Sequence, residues 1–326
     1  MLDNNFKTNF TDETNTSRDV RVEIIIPTLN EEDSIGELLQ NIRSQTLPVK
    51  ISTLVIDGGS NDRTAEICKK QNVRVIRQRG KGKGVAMREA VEHSDADIVV
   101  FIDGDGTYSI SDLGLLLEPL LTDKADVVVG SRVLGKREHG SISTFNTLGN
   151  KLFNKVINYG MKSHITDSLS GYRAMRKVVF TDLILFSDSF EIEVEMTVEA
   201  MAKGYRIIEI PISYGNRRNS KTKLNPISDG VNIGKTLFFI IMNIRPLLFF
   251  TIMSGIVFGI STYPAAIVLY EKIVFGEVIH LPSVIFASLL IMMAVILLVL
   301  GILSELTVRS RRRLEHMINK MSHHTY

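Results

Sequence analysis

The chain has 326 residues, 44% hydrophobic and 23% charged, with a net charge of +2. That is enough chain for one large domain plus an appendage, and the charge balance excludes generic nucleic-acid binding by bulk charge. The single cysteine, Cys68, excludes an internal disulfide framework and a Cys-based metal pattern, and reads as a small core residue on a helix.

Residues 1–20 are polar, rich in Asn and Thr, and lack the apolar run of a secretory signal. They read as a disordered leader, with the folded part expected to begin in the cytoplasm. From there to residue 215 short apolar runs alternate with amphipathic ones. VEIIIP (22–27), ISTLVID (51–57), VRVIR (73–77), DIVVFID (97–103) and DVVVG (126–130) read as strands covered on both faces. Residues 31–44, 62–71, 83–93 and 111–121 read as helices. The alternation predicts an α/β domain with a mainly parallel sheet, whose ligands gather beyond the carboxyl ends of the strands.

Polar motifs stand at those ends. In PTLNEEDSI, Pro27 stops the ladder and Asn30 is placed to cap a helix beginning with Glu31, Glu32 and Asp33. In DGGSNDRTAEI, Asp57 sits at the strand tip, with Ser60 or Asn61 available as caps. RQRGKGKGVAMREAV brings Arg79, Lys81 and Lys83 to a glycine-rich turn before a helix, a combination suited to a phosphate, although it has neither P-loop spacing nor the position of a dinucleotide fingerprint. VVFIDGDGTY ends a buried strand in Asp103 and Asp105, one residue apart. An Asp-rich turn explains such a pair structurally; beside a phosphate cradle, the same hard oxygen ligands suit Mg²⁺ or Mn²⁺ bridging diphosphate oxygens. In FEIEVEM, the alternate spacing of Glu191, Glu193 and Glu195 suggests one face of a strand, with a solvated face the bland reading for two of them.

The second half turns apolar. The stretch 217–223, RRNSKTK, is basic; residues 226–246 include an apolar run flanked by basic residues and read as an interfacial helix. Leu247 to Tyr270 and Leu281 to Ser304 are each 24 residues without a charge, above the roughly 20 that span a bilayer core. Lys221, Lys223, Lys235 and Arg245 before the first run, and Arg309, Arg311, Arg312 and Arg313 after the second, outweigh Lys272 between them, so both ends are expected in the cytoplasm. Residues 305–326 read as a basic cytoplasmic tail; His323 and His324 are a weak metal signal.

Taken in order, IIIPTLNEE, VIDGGSNDRT, GKGKG, FIDGDGTY, VVGSR, TDSLSGYRAM, FEIEVEM and EIPISYGNRRNSKTKL resemble the family 2 glycosyltransferases of the GT-A fold. Within these the set is most similar to the dolichyl-phosphate (polyprenyl-phosphate) sugar synthases, especially the archaeal ones that prime protein N-glycosylation. The resemblance covers residues 21–225 and implies a Rossmann-like GT-A catalytic domain followed by a transmembrane hairpin. It further implies a divalent cation, a nucleoside diphosphate sugar donor, a polyprenyl phosphate acceptor in a lipid membrane, and inversion at the anomeric carbon. It assigns Pro27, Thr28 and Glu31 to the nucleotide turn, Asp57 to the base or ribose, Lys83 to the donor, and Asp103 and Asp105 to the metal. Arg132, Asp167 and Arg173 are assigned to the active-site lining, and Arg217 or Arg218, with Thr222 and Lys223, to a loop closing over phosphates. Thr107 stands where many relatives carry glutamine, and Ser220 where the loop usually has glycine.

The chemistry is self-consistent, because a polyprenyl phosphate is already an anionic nucleophile and needs no strong base. UDP-glucose or UDP-N-acetylglucosamine is the expected donor, with GDP-mannose the alternative. A membrane-anchored nucleotide-sugar binder without catalysis is the reading of another class. A processive enzyme is disfavoured by the lack of tryptophan. The hairpin is compatible with a homo-oligomer.

Overall fold

The computed structural model describes residues 20–136, 138, 144–216, 238, 242 and 246–322. Among the described residues seven strands form one sheet: β1 (Arg21–Thr28), β2 (Lys50–Asp57), β3 (Arg74–Arg77), β4 (Ile98–Phe101), β5 (Val127–Ser131), β6 (Arg173–Arg176) and β7 (Ile207–Pro211). Their order is β3-β2-β1-β4-β6-β5-β7, and only β6 runs antiparallel to its neighbours. All five expected strands form. β6 and β7 were not expected: β6 carries two arginines in four residues, and β7 is an edge strand ending in Pro211, so neither shows a buried strand's apolar run.

Alternation along β1 supplies both sides of the sheet. Val22, Ile24 and Ile26 meet Ile35, Leu38, Leu39 and Ile42 of α1 (Ile35–Arg43) and the leucines of α4 (Leu113–Leu121), with Cys68 of α2 (Thr64–Lys70). Ile25 faces the other way, toward α3 (Lys83–Glu92), α6 (Lys177–Asp182) and α7 (Ile192–Ala202). Burial of Cys68 pushes its thiol up to about 11, as befits a core residue.

FEIEVEM belongs to α7 and not to a strand. The helix lies between the sheet and α5 (Thr144–Met161): Ile192, Met196 and Ala200 join the sheet core, while Val194 and Val198 pack with Phe153 and Ile157. Two stripes of period four on opposite sides produce an apparent period of two in the sequence.

Two long helices close the chain, α8 (Pro246–Val274) and α9 (Leu281–Ser322). Both are long and apolar enough to cross a membrane, over Pro246–Val274 and Leu281–Ser310. They pack along each other, with the Ser254 hydroxyl donating to the Ala294 carbonyl at 2.7 Å and Gly301 meeting Phe250. The expected basic tail is helical as far as Ser322, continuing α9. The expected interfacial helix falls almost wholly outside the described residues.

Candidate active site

Strand register brings the motifs to one edge. Thr28 pairs with Asp57 and Asp57 with Arg77, while Ile25 pairs with Phe101, two residues before Asp103. The loops after β1 and β2 then brace each other. Asn30, in the left-handed region at φ 57°, donates its amide to Ser60 Oγ and accepts from the Asn61 amide at 2.9 Å. It is not the expected cap: α1 begins only at Ile35, after a turn closed by bonds to the Glu31 carbonyl. Neither Ser60 nor Asn61 caps α2: its N-cap position is Arg63, and the turn before it is held by Asp62, whose Oδ1 accepts from the Thr64 amide and hydroxyl and whose Oδ2 accepts from the Glu32 amide. Burial opposes the charge on Asp62, but these donors outweigh it and hold the carboxyl below its ordinary range.

Asp57 is buried, and both its oxygens accept from the turn that follows: the Gly59 and Ser60 amides and the Ser60 hydroxyl. Its turn role is therefore plain in the structure. Pro27 is half-buried in the ladder; buried Thr28 presents its carbonyl to the Gly58 amide at 2.8 Å, and the Glu31 amide donates to Thr64 Oγ1.

The DGDGT turn is held from three sides. Gly104 lies so close to β1 that a Cβ would stand 2.9 Å from Thr28 Cγ2, and its carbonyl accepts the Ser34 hydroxyl at 2.6 Å. Gly106 takes φ +74°, which glycine permits. Thr107 donates its amide (3.1 Å) and hydroxyl (2.7 Å) to Asp105 Oδ1. Thr107 thus aims Asp105, a role that the missing glutamine does not suggest.

Asp103 pairs with Lys83. The ammonium donates to Asp103 Oδ1 and to Glu193 Oε1, the latter at 2.6 Å, and the Lys83 side chain is only 9% exposed. Burial disfavours the charged amine, yet Asp103 and Glu193 outweigh it and hold Lys83 protonated far above its ordinary range. Burial also pushes the Glu193 carboxyl up, with Lys83 opposing that shift. Gly171 seals the cluster, since a Cβ there would lie 2.6 Å from Asp103 Oδ2. Its amide donates to the Tyr108 hydroxyl at 2.8 Å, and Tyr108 packs edge-on against Tyr214, over which Arg132 lies at 5.4 Å. An aromatic bridge thereby links Arg132 to the acidic turn.

The glycine-rich turn is not a phosphate cradle. The Gly84 amide donates to the Asp188 carbonyl, and a Cβ at Gly82 or Gly84 would overlap the 187–188 backbone. Glu195 fixes that segment by accepting the Phe186 and Ser187 amides. The glycines serve close packing, and Lys81 and Arg79 stay on the surface.

Two residues expected to line the site do not. Asp167 is fully buried and accepts four bonds: the Arg132 amide, Nε and Nη2, and Asn150 Nδ2. It orients Arg132 through a bidentate pair and has no lone pair directed at a substrate. Arg173, also fully buried, donates to the carbonyls of Ser168, Ser170 and Glu193; it ties α7 to the 168–170 loop. Sequence patterns missed Tyr108, Tyr214, Asn150 and Gly171, because none has a role apart from its tertiary neighbours. Arg217, Arg218, Thr222 and Lys223 lie outside the described residues.

The donor set fits a divalent ion: Asp103 and Asp105 are half-buried carboxylates that offer hard oxygens, and a cation, Lys83 Nζ, already stands against Asp103. Among the described residues no cluster of three or more His, Cys, Asp or Glu side chains gathers, so further ligands would come from a substrate.

The profile of Glycosyl transferase family 2 matches residues 23–184. Glycosyltransferase AglJ of Haloferax volcanii is 35% identical over 291 residues, covering 89% of this chain and 94% of that protein. The dolichyl-phosphate hexose transferase of the same organism is 35% identical over 214 residues, 66% of this chain and 91% of that one. Glucosyl-3-phosphoglycerate synthase from Mycobacterium tuberculosis, solved with Mn²⁺, UDP and glucosyl-3-phosphoglycerate, superposes with a TM-score of 0.56 at 20% identity, covering 68% of this chain and 80% of that one; it shares the fold. The chain belongs to the family 2 glycosyltransferases, an enzyme built on the GT-A fold.

Proposed function

We propose that the enzyme transfers a hexose, glucose or N-acetylglucosamine, from a UDP-sugar to the phosphate of a membrane polyprenol, with inversion, as the first step of lipid-linked oligosaccharide assembly for protein glycosylation. The observation that carries this reading is the saturated Asp167. A sugar hydroxyl acceptor calls for a positioned general base, and the acid beside Arg132 is spent on orienting that arginine. A phosphate acceptor is anionic already, so the site has to gather two anions and stabilise the departing diphosphate. The names of the relatives support a dolichyl phosphate acceptor.

In this mechanism Asp103 and Asp105 would hold Mg²⁺ or Mn²⁺, which would supply Lewis-acid neutralisation of the leaving diphosphate. Arg132, locked by Asp167 and stacked on Tyr214, presents a fixed guanidinium to the acceptor phosphate. Pro27, Thr28, Glu31 and Asp57 shape the nucleotide side of the cleft, with Lys83 behind the donor. Arg218 and Lys223, outside the described residues, supply further cations for the phosphates in this reading, as the family resemblance implies. α8 and α9 anchor the domain beside its lipid substrate, with the catalytic domain and the C-terminus on the cytoplasmic face, the orientation that the basic flanks favour.

Membranes containing the protein, incubated with dolichyl phosphate, Mn²⁺ and labelled UDP- and GDP-sugars, should yield one lipid-linked monosaccharide. A GDP-mannose product would make it a mannosyl donor enzyme. Tight nucleotide binding with no product from any donor would leave a non-catalytic binder.

A further inference from the structure

Lys83 stands where a divalent ion and a lysine would want the same oxygen. Its ammonium donates to Asp103 Oδ1 and to Glu193 Oε1, and neither its side chain nor that of Glu193 is more than 9% exposed. We propose that Lys83 is an internal cation competing with the divalent ion for Asp103, and that Glu193 is the positioning residue that receives Lys83 when the ion and the diphosphate arrive. The proposal rests on the metal reading of the site given above.

Geometry confines the amine to that exchange. A Cβ at Gly171 would lie 3.0 Å from both Lys83 Nζ and Glu193 Oε1, so the backbone there walls one side, and the Phe190 ring covers another at 5.8 Å. Between those two walls Nζ is within hydrogen-bond reach of both acids at once, so passing from one to the other needs only a small shift. With Lys83 kept by Glu193, the ion can take Asp103 without expelling a buried ammonium into apolar surroundings. With Lys83 on Asp103, a bare ion without diphosphate binds weakly, so ion and donor arrive together.

The test measures Mn²⁺ binding to the full-length detergent-solubilised protein, from the loss of the free-ion electron paramagnetic resonance signal, with and without UDP. Lys83→Gln removes the competitor and should tighten Mn²⁺ binding without UDP by about tenfold. Glu193→Gln leaves Lys83 only Asp103 and should weaken Mn²⁺ binding by about tenfold, while Glu193→Asp, which keeps the charge, should stay within about threefold of wild type. Opposite signs support the exchange. A purely structural cluster would weaken binding in both, and equal or same-direction shifts overturn the proposal alone. If Lys83→Gln does not fold, Glu193→Gln decides, and unchanged or tighter binding overturns it. Wild-type protein that binds no Mn²⁺ even with UDP overturns both this proposal and the metal reading.

Discussion

Side chains in this site act mostly by holding other side chains. Asp105 is aimed by Thr107, Arg132 by Asp167, and Lys83 by Glu193. Asp105→Ala should abolish transfer while leaving folding and membrane association intact, read by product formation beside a thermal melt. Asp167→Asn should do something different. It keeps the volume but loses the bidentate charge pair, so kcat should fall by about a hundredfold as Arg132 loses its orientation, and the melt should drop because Arg132 is left partly buried without its acid. Gly171→Ala drives a methyl against Asp103 and the Lys83–Glu193 pair, and should lower both Mn²⁺ binding and stability, measured by the same resonance signal and melt. The acids outside the site follow ordinary linkage. Arg206 hydrogen bonds hold the Asp126 carboxyl below 3.8 against its partial burial. The stability this adds is complete above that pH and is lost as pH falls below it, so Asp126→Asn should flatten the acid limb of a Tm-against-pH curve below about pH 4.

At the scale of elements, caps and helix faces decide which loops exist. The α2 start depends on Asp62, and Asp62→Ala should cost about 1 kcal/mol in a chemical unfolding curve, since it frees the Thr64 and Glu32 amides together. α7 shows how an element is misread. Its alternating Ile192, Val194, Met196 and Val198 look like a strand because the helix is covered on two sides, and the pattern is resolved only once α5 and the sheet are both in place. The same helix aims Glu193 at Lys83 and Glu195 at the 186–187 backbone, so one element braces the cluster and packs the glycine-rich turn.

For the whole molecule, a mainly parallel sheet with one antiparallel strand carries the candidate site on one edge, and two membrane-length helices follow it. If α8 and α9 span a bilayer with both ends cytoplasmic, a cysteine introduced at Gly276, between the helices, should react with a membrane-impermeant thiol reagent on intact cells. One introduced at Ser322, at the end of α9, should react only after permeabilisation. The reverse pattern would place the catalytic domain on the outer face.

The amino-acid sequence by itself determined the five apolar strands, the acids at their ends and the two long apolar helices, because each of these is written locally: in continuous β-branched runs, in a Gly-Asp turn, and in uncharged stretches longer than a bilayer is thick. Only the tertiary structure decided what those motifs do. Whether the glycines of GKGKG face a phosphate or the 187–188 backbone, and whether Asp167 meets a substrate or Arg132, depends on residues far away in the chain, 35 positions in the case of Arg132. Burial is the physical reason: a polar group taken out of water must find a partner, and which partner is near is set by packing and not by neighbours in the chain.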